Sequence, residues 1–176
     1  DLVQDRHHVD AQRVQTPAPR PETLARSRLL NWLSAKSNRR FLLICAEAGY
    51  GKTTLAADFV RRTRARVLWY RLDAADADWV SFIAHLVAAG REHDESFGEQ
   101  ALNLLVASEH ATAQDAIVRA LLADLRRLGQ RLLLVLDDFH EVDEVDEISS
   151  FLHPTIEATA IIKSSVMLKS FFMVFV

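Results

Sequence analysis

Cysteine is nearly absent from this chain of 176 residues: Cys45 stands alone. A single thiol excludes an internal disulfide framework and fits a reducing cytoplasm. Cys45 ends an apolar run, where a small core residue is expected rather than a reactive group. Glycine (5 residues) and proline (4) are scarce, and neither is scattered evenly. Pro17, Pro19 and Pro21 crowd the N-terminal segment, and Gly49 and Gly51 share one loop. No apolar stretch reaches the ~20 residues of a membrane span, because Lys163 and Lys169 break the apolar end of the chain. Residues 1–20 are polar and charged, so no signal peptide is visible. The first residue is Asp1 rather than Met, which is compatible with a missing N-terminus. The seven histidines show no metal-ligand spacing with cysteine or acids, and no zinc site is assigned. Arginine is absent after Arg131.

The residues that are present suit one domain, or part of one, with a sizeable core, since 49% are apolar. The net charge of −3 argues neither for nor against nucleic acid. Its distribution is uneven. Residues 1–66 carry 13 Lys and Arg against 6 Asp and Glu, and residues 67–176 carry 8 against 18. The basic half fits a polyanion site or a solvated basic face equally well.

The spacing of residues divides the chain. Residues 1–21 read as a flexible or extended lead-in. A helix follows with Leu24, Leu29, Leu30 and Leu33 on its apolar side. Its Arg26-Ser27-Arg28 segment reads as a solvated face, with an approach to a ligand as the alternative. Phe41 to Cys45 is an apolar strand. Arg66 to Leu72 is a second strand rich in β-formers. Trp79, Phe82, Ile83, Leu86 and Val87 mark one face of an amphipathic helix, with His85 expected to be partly exposed. Leu102, Leu104, Leu105 and Val106 suggest another helix. Thr112 with Asp115 offers a near capping box for a further one, and Gly129 a left-handed C-terminus. Leu132 to Leu136 is apolar on both faces, as a buried parallel strand must be. The order β-α-β-α-α-α-β implies parallel strands with helical crossovers.

Between the first strand and the next helix lies Ala46-Glu47-Ala48-Gly49-Tyr50-Gly51-Lys52-Thr53-Thr54. Strand, glycine loop and helix start are the order a phosphate-binding P-loop needs. Backbone N–H groups at a helix N-terminus converge on phosphate oxygens, and glycine lets the backbone approach them. These nine residues are the candidate nucleotide contacts. Lys52 would reach the β- and γ-phosphates, and the Thr53 hydroxyl would ligate Mg²⁺. The pattern usually opens on glycine, where this chain has Ala46. A second element completes the site. Asp137 and Asp138 end the Leu132–Leu136 run, at the strand end where open α/β sheets bind ligands. Asp137 would hold the Mg²⁺ shell. Asp138, with Lys52, is assigned the catalytic role, as general base for the attacking water.

These segments resemble the signal-transduction ATPases with numerous domains (STAND), in the LuxR-type, maltose-regulator-like transcriptional regulators of bacteria. Arg20-Pro21 with Arg26-Ser27-Arg28-Leu29-Leu30 is similar to their lead-in helix. Trp69-Tyr70-Arg71-Leu72-Asp73 with Asp78-Trp79 and Phe82 is similar to their second strand and next helix. Leu133 to His140 is similar to their Walker B strand. The resemblance covers roughly residues 17–152. It implies a P-loop NTPase fold of three layers, α/β/α, with a mostly parallel sheet, and a cytoplasmic, slowly hydrolysing ATP/ADP switch using Mg²⁺. It also implies DNA binding through a C-terminal domain absent from this chain, no membrane, and nucleotide-dependent self-association in the full-length protein. The alternatives are a P-loop enzyme of the kinase type and a remnant without activity.

The pattern breaks near residue 152. The NTPase domain is assigned to residues 22–152, and residues 153–176 to an atypical apolar tail, truncated or frame-shifted. The tail is β-prone. The resembled fold places a strand between the P-loop strand and the Asp137 strand. A tail unable to supply it would leave the domain incomplete at its C-terminus, with backbone groups unpaired and ATPase activity weak or absent.

Overall fold

A computed structural model describes residues 9–19, 22, 24–37, 39, 41–107, 110–129, 131–139 and 171–175. Arg20, Pro21, His140 and residues 141–170, most of the atypical tail among them, lie outside the described residues. The strands are β1 (Phe41–Cys45), β2 (Arg66–Arg71), β3 (Leu132–Asp137) and β4 (Phe171–Phe175). The helices are α1 (Ser27–Lys36), α2 (Lys52–Arg62), α3 (Trp79–Arg91), α4 (Glu99–Ala107) and α5 (His110–Arg127). α5 begins before Thr112, so the near capping box expected at Thr112 falls inside the helix instead of starting it.

The sheet order is β1-β4-β3-β2. β2 and β3 are parallel, with Arg71 opposite Asp137. β4 is antiparallel to both neighbours, and Met173 faces Leu43 on one side and Leu136 on the other. β1, β2 and β3 therefore share one direction. The place between the P-loop strand and the Asp137 strand, expected to be vacant, is filled by the tail running the opposite way. β4 pairs backbone groups of both neighbours, and a buried unpaired group costs about 1–3 kcal/mol.

Alternation along the strands sends side chains to two cores. Leu42, Trp69, Leu133 and Val135 pack under α1 and α2, against Leu30, Leu33, Leu55 and Phe59. Leu68, Tyr70, Leu134 and Leu136 pack on the other face with Phe82, Leu86, Ile117 and Leu121 from α3 and α5. The result is a three-layer α/β/α arrangement around a mixed sheet: three of the four described strands run the same way, and the one parallel pairing among them is β2 with β3. β3 is apolar on both faces because helices cover both. Phe97 lies across Gly90 of α3, where a Cβ would come within 2.1 Å of the ring.

Three local expectations are corrected. Cys45 is exposed rather than in the core. His85 is buried, not partly exposed. Within the lead-in expected to be flexible, Ala11–Val14 forms a 3₁₀ helix with Arg13 and Val14 buried. Arg13 donates to the Arg71 carbonyl (3.0 Å), and the His93 ring lies 2.8 Å from the Val67 carbonyl. Both cover carbonyls of β2 that an edge strand would otherwise expose.

Candidate functional site

β1 delivers the chain into the loop Ala46–Gly51, and α2 begins at Lys52 with Gly51 as its N-cap. Gly49 (φ 82°) and Gly51 (φ 72°) are left-handed, a conformation that costs other residues about 1–2 kcal/mol. The loop therefore folds back over the helix start. There the first N–H groups of a helix lack intrahelical acceptors, and its dipole favours an anion. Lys52 is buried, and its Nζ donates to the carbonyls of Ala46 and Glu47, both at 3.0 Å. The loop wraps its own ammonium group. Tyr50 is 63% exposed at the loop's tip.

Thr53 and Asp137 are 84 residues apart in sequence, and the fold joins them. The Thr53 hydroxyl donates to Asp137 Oδ1 at 2.9 Å. The Asp138 N–H donates to the same oxygen at 3.1 Å. Asp137 Oδ2 is buried and has no hydrogen-bond partner among the described residues. Burial pushes the Asp137 carboxyl up to about 6, and the charge of Asp138 adds to the rise. Thr53, the Asp138 N–H and Arg71, opposite Asp137 in the sheet, pull the other way. Asp138 itself has φ 54°, rare for a residue with a side chain. It is half-buried at the sheet end, and Phe139 beyond it is fully buried.

This donor set fits Mg²⁺. That ion takes one or two protein oxygens and fills its octahedron with phosphate and water. A hydroxyl and a carboxylate 2.9 Å apart, beside a phosphate-type loop, provide the protein share. The orphan Oδ2 is the lone pair such a cation would satisfy.

Of the residues singled out from sequence, Lys52 is joined to Ala46 and Glu47, and Asp137 to both Thr53 and the Asp138 N–H. Ala48, Gly49, Tyr50, Gly51 and Thr54 lie in the same loop or the first turn of α2. One residue was undervalued. Arg26, read as a solvated face, donates from Nη1 to the Tyr50 carbonyl at 2.7 Å. Its Nη2 lies 2.9 Å from where a Gly51 Cβ would be. The signal was an arginine at the entry to a helix that precedes the loop strand.

A model of the AAA domain matches residues 35–168. The match includes the loop, Asp137 and most of the segment set apart as a tail. The serine/threonine-protein kinase PknK of Mycobacterium tuberculosis is 31% identical over 138 residues, 76% of this chain and 12% of that protein. The HTH-type transcriptional regulator MalT of Cronobacter sakazakii is 33% identical over 129 residues, 73% of this chain and 14% of the regulator. The MalT of Yersinia pestis is 32% identical over 142 residues, 79% and 15%. This chain thus spans 12 to 15% of the length of these relatives. Fold, loop geometry and sequence agree: the chain belongs to the AAA domain family.

Proposed function

We propose that this chain is the nucleotide-binding module of a STAND-type regulatory ATPase, which takes ATP or ADP with Mg²⁺ and works as a slow switch in the cytoplasm. The observation that carries the reading is Asp137 beside the glycine loop: Thr53 holds its Oδ1 at 2.9 Å, while its buried Oδ2 has no hydrogen-bond partner among the described residues. A buried carboxylate oxygen with no donor or cation on it is costly unless a ligand completes it.

The chain's own residues divide the work. The loop Ala46–Thr54 and the α2 N-terminus bind the phosphates. Lys52 exchanges its two loop carbonyls for phosphate oxygens. Thr53 and Asp137 hold the cation, which when bound neutralises phosphate charge. Asp138 orients a water and accepts its proton at the side-chain carboxylate. Arg26 ties the Tyr50 carbonyl of the loop to the start of α1 and supplies positive charge beside it. In a longer protein such as the regulators it resembles, the switch would be read by other domains, including one that binds DNA, and by self-association.

Calorimetry with ATP and ADP, with and without Mg²⁺, tests the reading. Binding in the micromolar range, strengthened by Mg²⁺ and lost in Lys52→Ala, is expected. The same weak affinity in native chain and variant would refute it. The reason for expecting weak turnover was a vacant strand position, and β4 removes that reason. Slow hydrolysis that disappears in Lys52→Ala is the corresponding kinetic expectation.

A further inference from the structure

A second buried polar cluster sits at the same end of the sheet, and the phosphate chemistry uses none of it. Arg13 comes from the 3₁₀ helix of the N-terminal segment. Its guanidinium reaches four parts of the β2 end. Nε donates to the Arg71 carbonyl at 3.0 Å. Nη1 pairs with Asp73 at 3.0 Å, and Nη2 with the fully buried Asp76. The group also lies 5.7 Å over the Tyr70 ring. Asp76 in turn accepts from the Asp73 N–H (2.8 Å) and the Ser81 hydroxyl (3.3 Å). His85 donates from Nδ1 to the Ser81 carbonyl (3.0 Å), so its Nε2 is free to accept from Arg13 (3.4 Å).

The place of this socket matters more than its strength. Buried ion pairs are poor sources of stability but define one geometry, since a misplaced partner leaves a bare charge. The carbonyl that Arg13 holds belongs to Arg71, the residue opposite Asp137. The next residue, Leu72, donates its N–H to the Asp137 carbonyl at 2.9 Å. One guanidinium therefore fixes the strand end that carries the Asp137 main chain. The docked segment itself is small. Four residues form it, and Val14 is its one buried apolar side chain. Docking thus depends mainly on the fork of Arg13, whose planar donors match several acceptors at once.

We propose that Arg13 is a latch: docked, it couples the Asp10–Val14 segment to the nucleotide end of the sheet and holds Asp137 in place. Undocked, it frees the β2 end and loosens the cation site. Arg13 is a positioning residue and touches no nucleotide. The proposal rests on the nucleotide reading for its functional consequence, though not for its structural half. Coupling is reciprocal: whatever docking adds to Mg²⁺·ATP affinity, Mg²⁺·ATP adds to docking.

The test uses the full chain and amide hydrogen exchange by NMR, with ATP and Mg²⁺ as probes. The variants are Arg13→Met, Arg13→Lys and the pair Arg13→Met with Asp76→Asn. The pair removes both buried charges, so it keeps the test alive if Arg13→Met alone does not fold. Without nucleotide, exchange at Leu72 should rise roughly tenfold in the Met variants while Leu68 in the same strand is unchanged, with Lys intermediate. In the native chain, saturating Mg²⁺·ATP should slow exchange at Gln12 and Arg13. The factor should match the affinity the Met variants lose, on the order of five- to tenfold. A Met variant with an undocked segment but unchanged Leu72 exchange overturns the latch. Unchanged Mg²⁺·ATP affinity with faster Leu72 exchange overturns the coupling. A native chain that binds no Mg²⁺·ATP overturns the nucleotide reading, and Leu72 exchange still decides the latch.

Discussion

Two carboxylates, Asp76 and Asp137, are each fully buried near the C-terminal end of the parallel strands, and their surroundings could hardly differ more. Asp76 is saturated. It holds a guanidinium, a main-chain N–H and a hydroxyl, and His85 lies 3.5 Å away. Asp137 has a hydroxyl and one N–H on a single oxygen and, among the described residues, no hydrogen-bond partner on the other. Equal burial therefore has unequal meaning. The saturated acid completes the fold, whereas the unsaturated one stores an unmet demand for charge. Such a demand marks a ligand position more reliably than burial alone.

Breaking the saturated acid should have the largest effect. Asp76→Ala strands Arg13 in a buried socket and should cost about 3–5 kcal/mol, read from the urea midpoint. A change below about 1 kcal/mol would mean that Asp73 and water suffice. The unsaturated acid should respond in the opposite sense. Asp137→Asn removes a buried charge and should stabilise the ligand-free chain by on the order of 2 kcal/mol at neutral pH, while abolishing the Mg²⁺ dependence of nucleotide binding. Loss of stability together with retained Mg²⁺ dependence would erase the contrast.

Proton titration should probe Asp137 without a mutation. Asp137 in the folded chain holds its proton up to about 6, above the ordinary carboxylate range. The folded state thus binds the proton more tightly than the unfolded one. Its contribution to stability is fully present below about pH 4 and is lost as pH rises through about 6. Mg²⁺ competes with that proton, so Mg²⁺-dependent affinity should weaken as pH falls through the same window. A flat affinity between pH 7 and pH 5 would count against Asp137 as the cation's ligand. The smallest effect concerns the loop that serves Asp137. Gly51→Ala forces a side chain into a left-handed backbone and against Arg26. It should cost about 1 kcal/mol in thermal unfolding and weaken ATP binding.

Much of this was legible in the sequence because it is local. The loop, the strand before it and the acids after Leu132–Leu136 are contiguous patterns governed by backbone chemistry. The pairing of Thr53 with Asp137 followed once both were placed at strand ends. The Arg13 socket was not legible. Its hydrogen-bond partners lie 58 to 72 residues away, and a lone arginine in a proline-bordered polar segment looks solvated. His85 was misread for the same reason: the stripe on α3 identified one buried face, but the lead-in covers another. The tail's strand tendency was visible in its phenylalanines. Its direction was not, because an all-apolar strand reads the same both ways. Cys45 inherited a core expectation from the run it ends, though it lies where that run opens into the loop.

The position of β4 has a consequence for how the molecule is made. β1 emerges early in synthesis and leads into the phosphate-type loop, yet the strand beside it in the described sheet, β4, is encoded some 130 residues later. Until Phe171–Phe175 has been translated, none of the described strands bridges β1 and the β2–β3 pair. The nascent chain must carry two apolar edges past the ribosome while it waits. Pairings between strands so far apart in sequence form slowly and leave apolar edges exposed in the meantime. The strand that bridges β1 to the β2–β3 pair thus arrives long after the loop it supports.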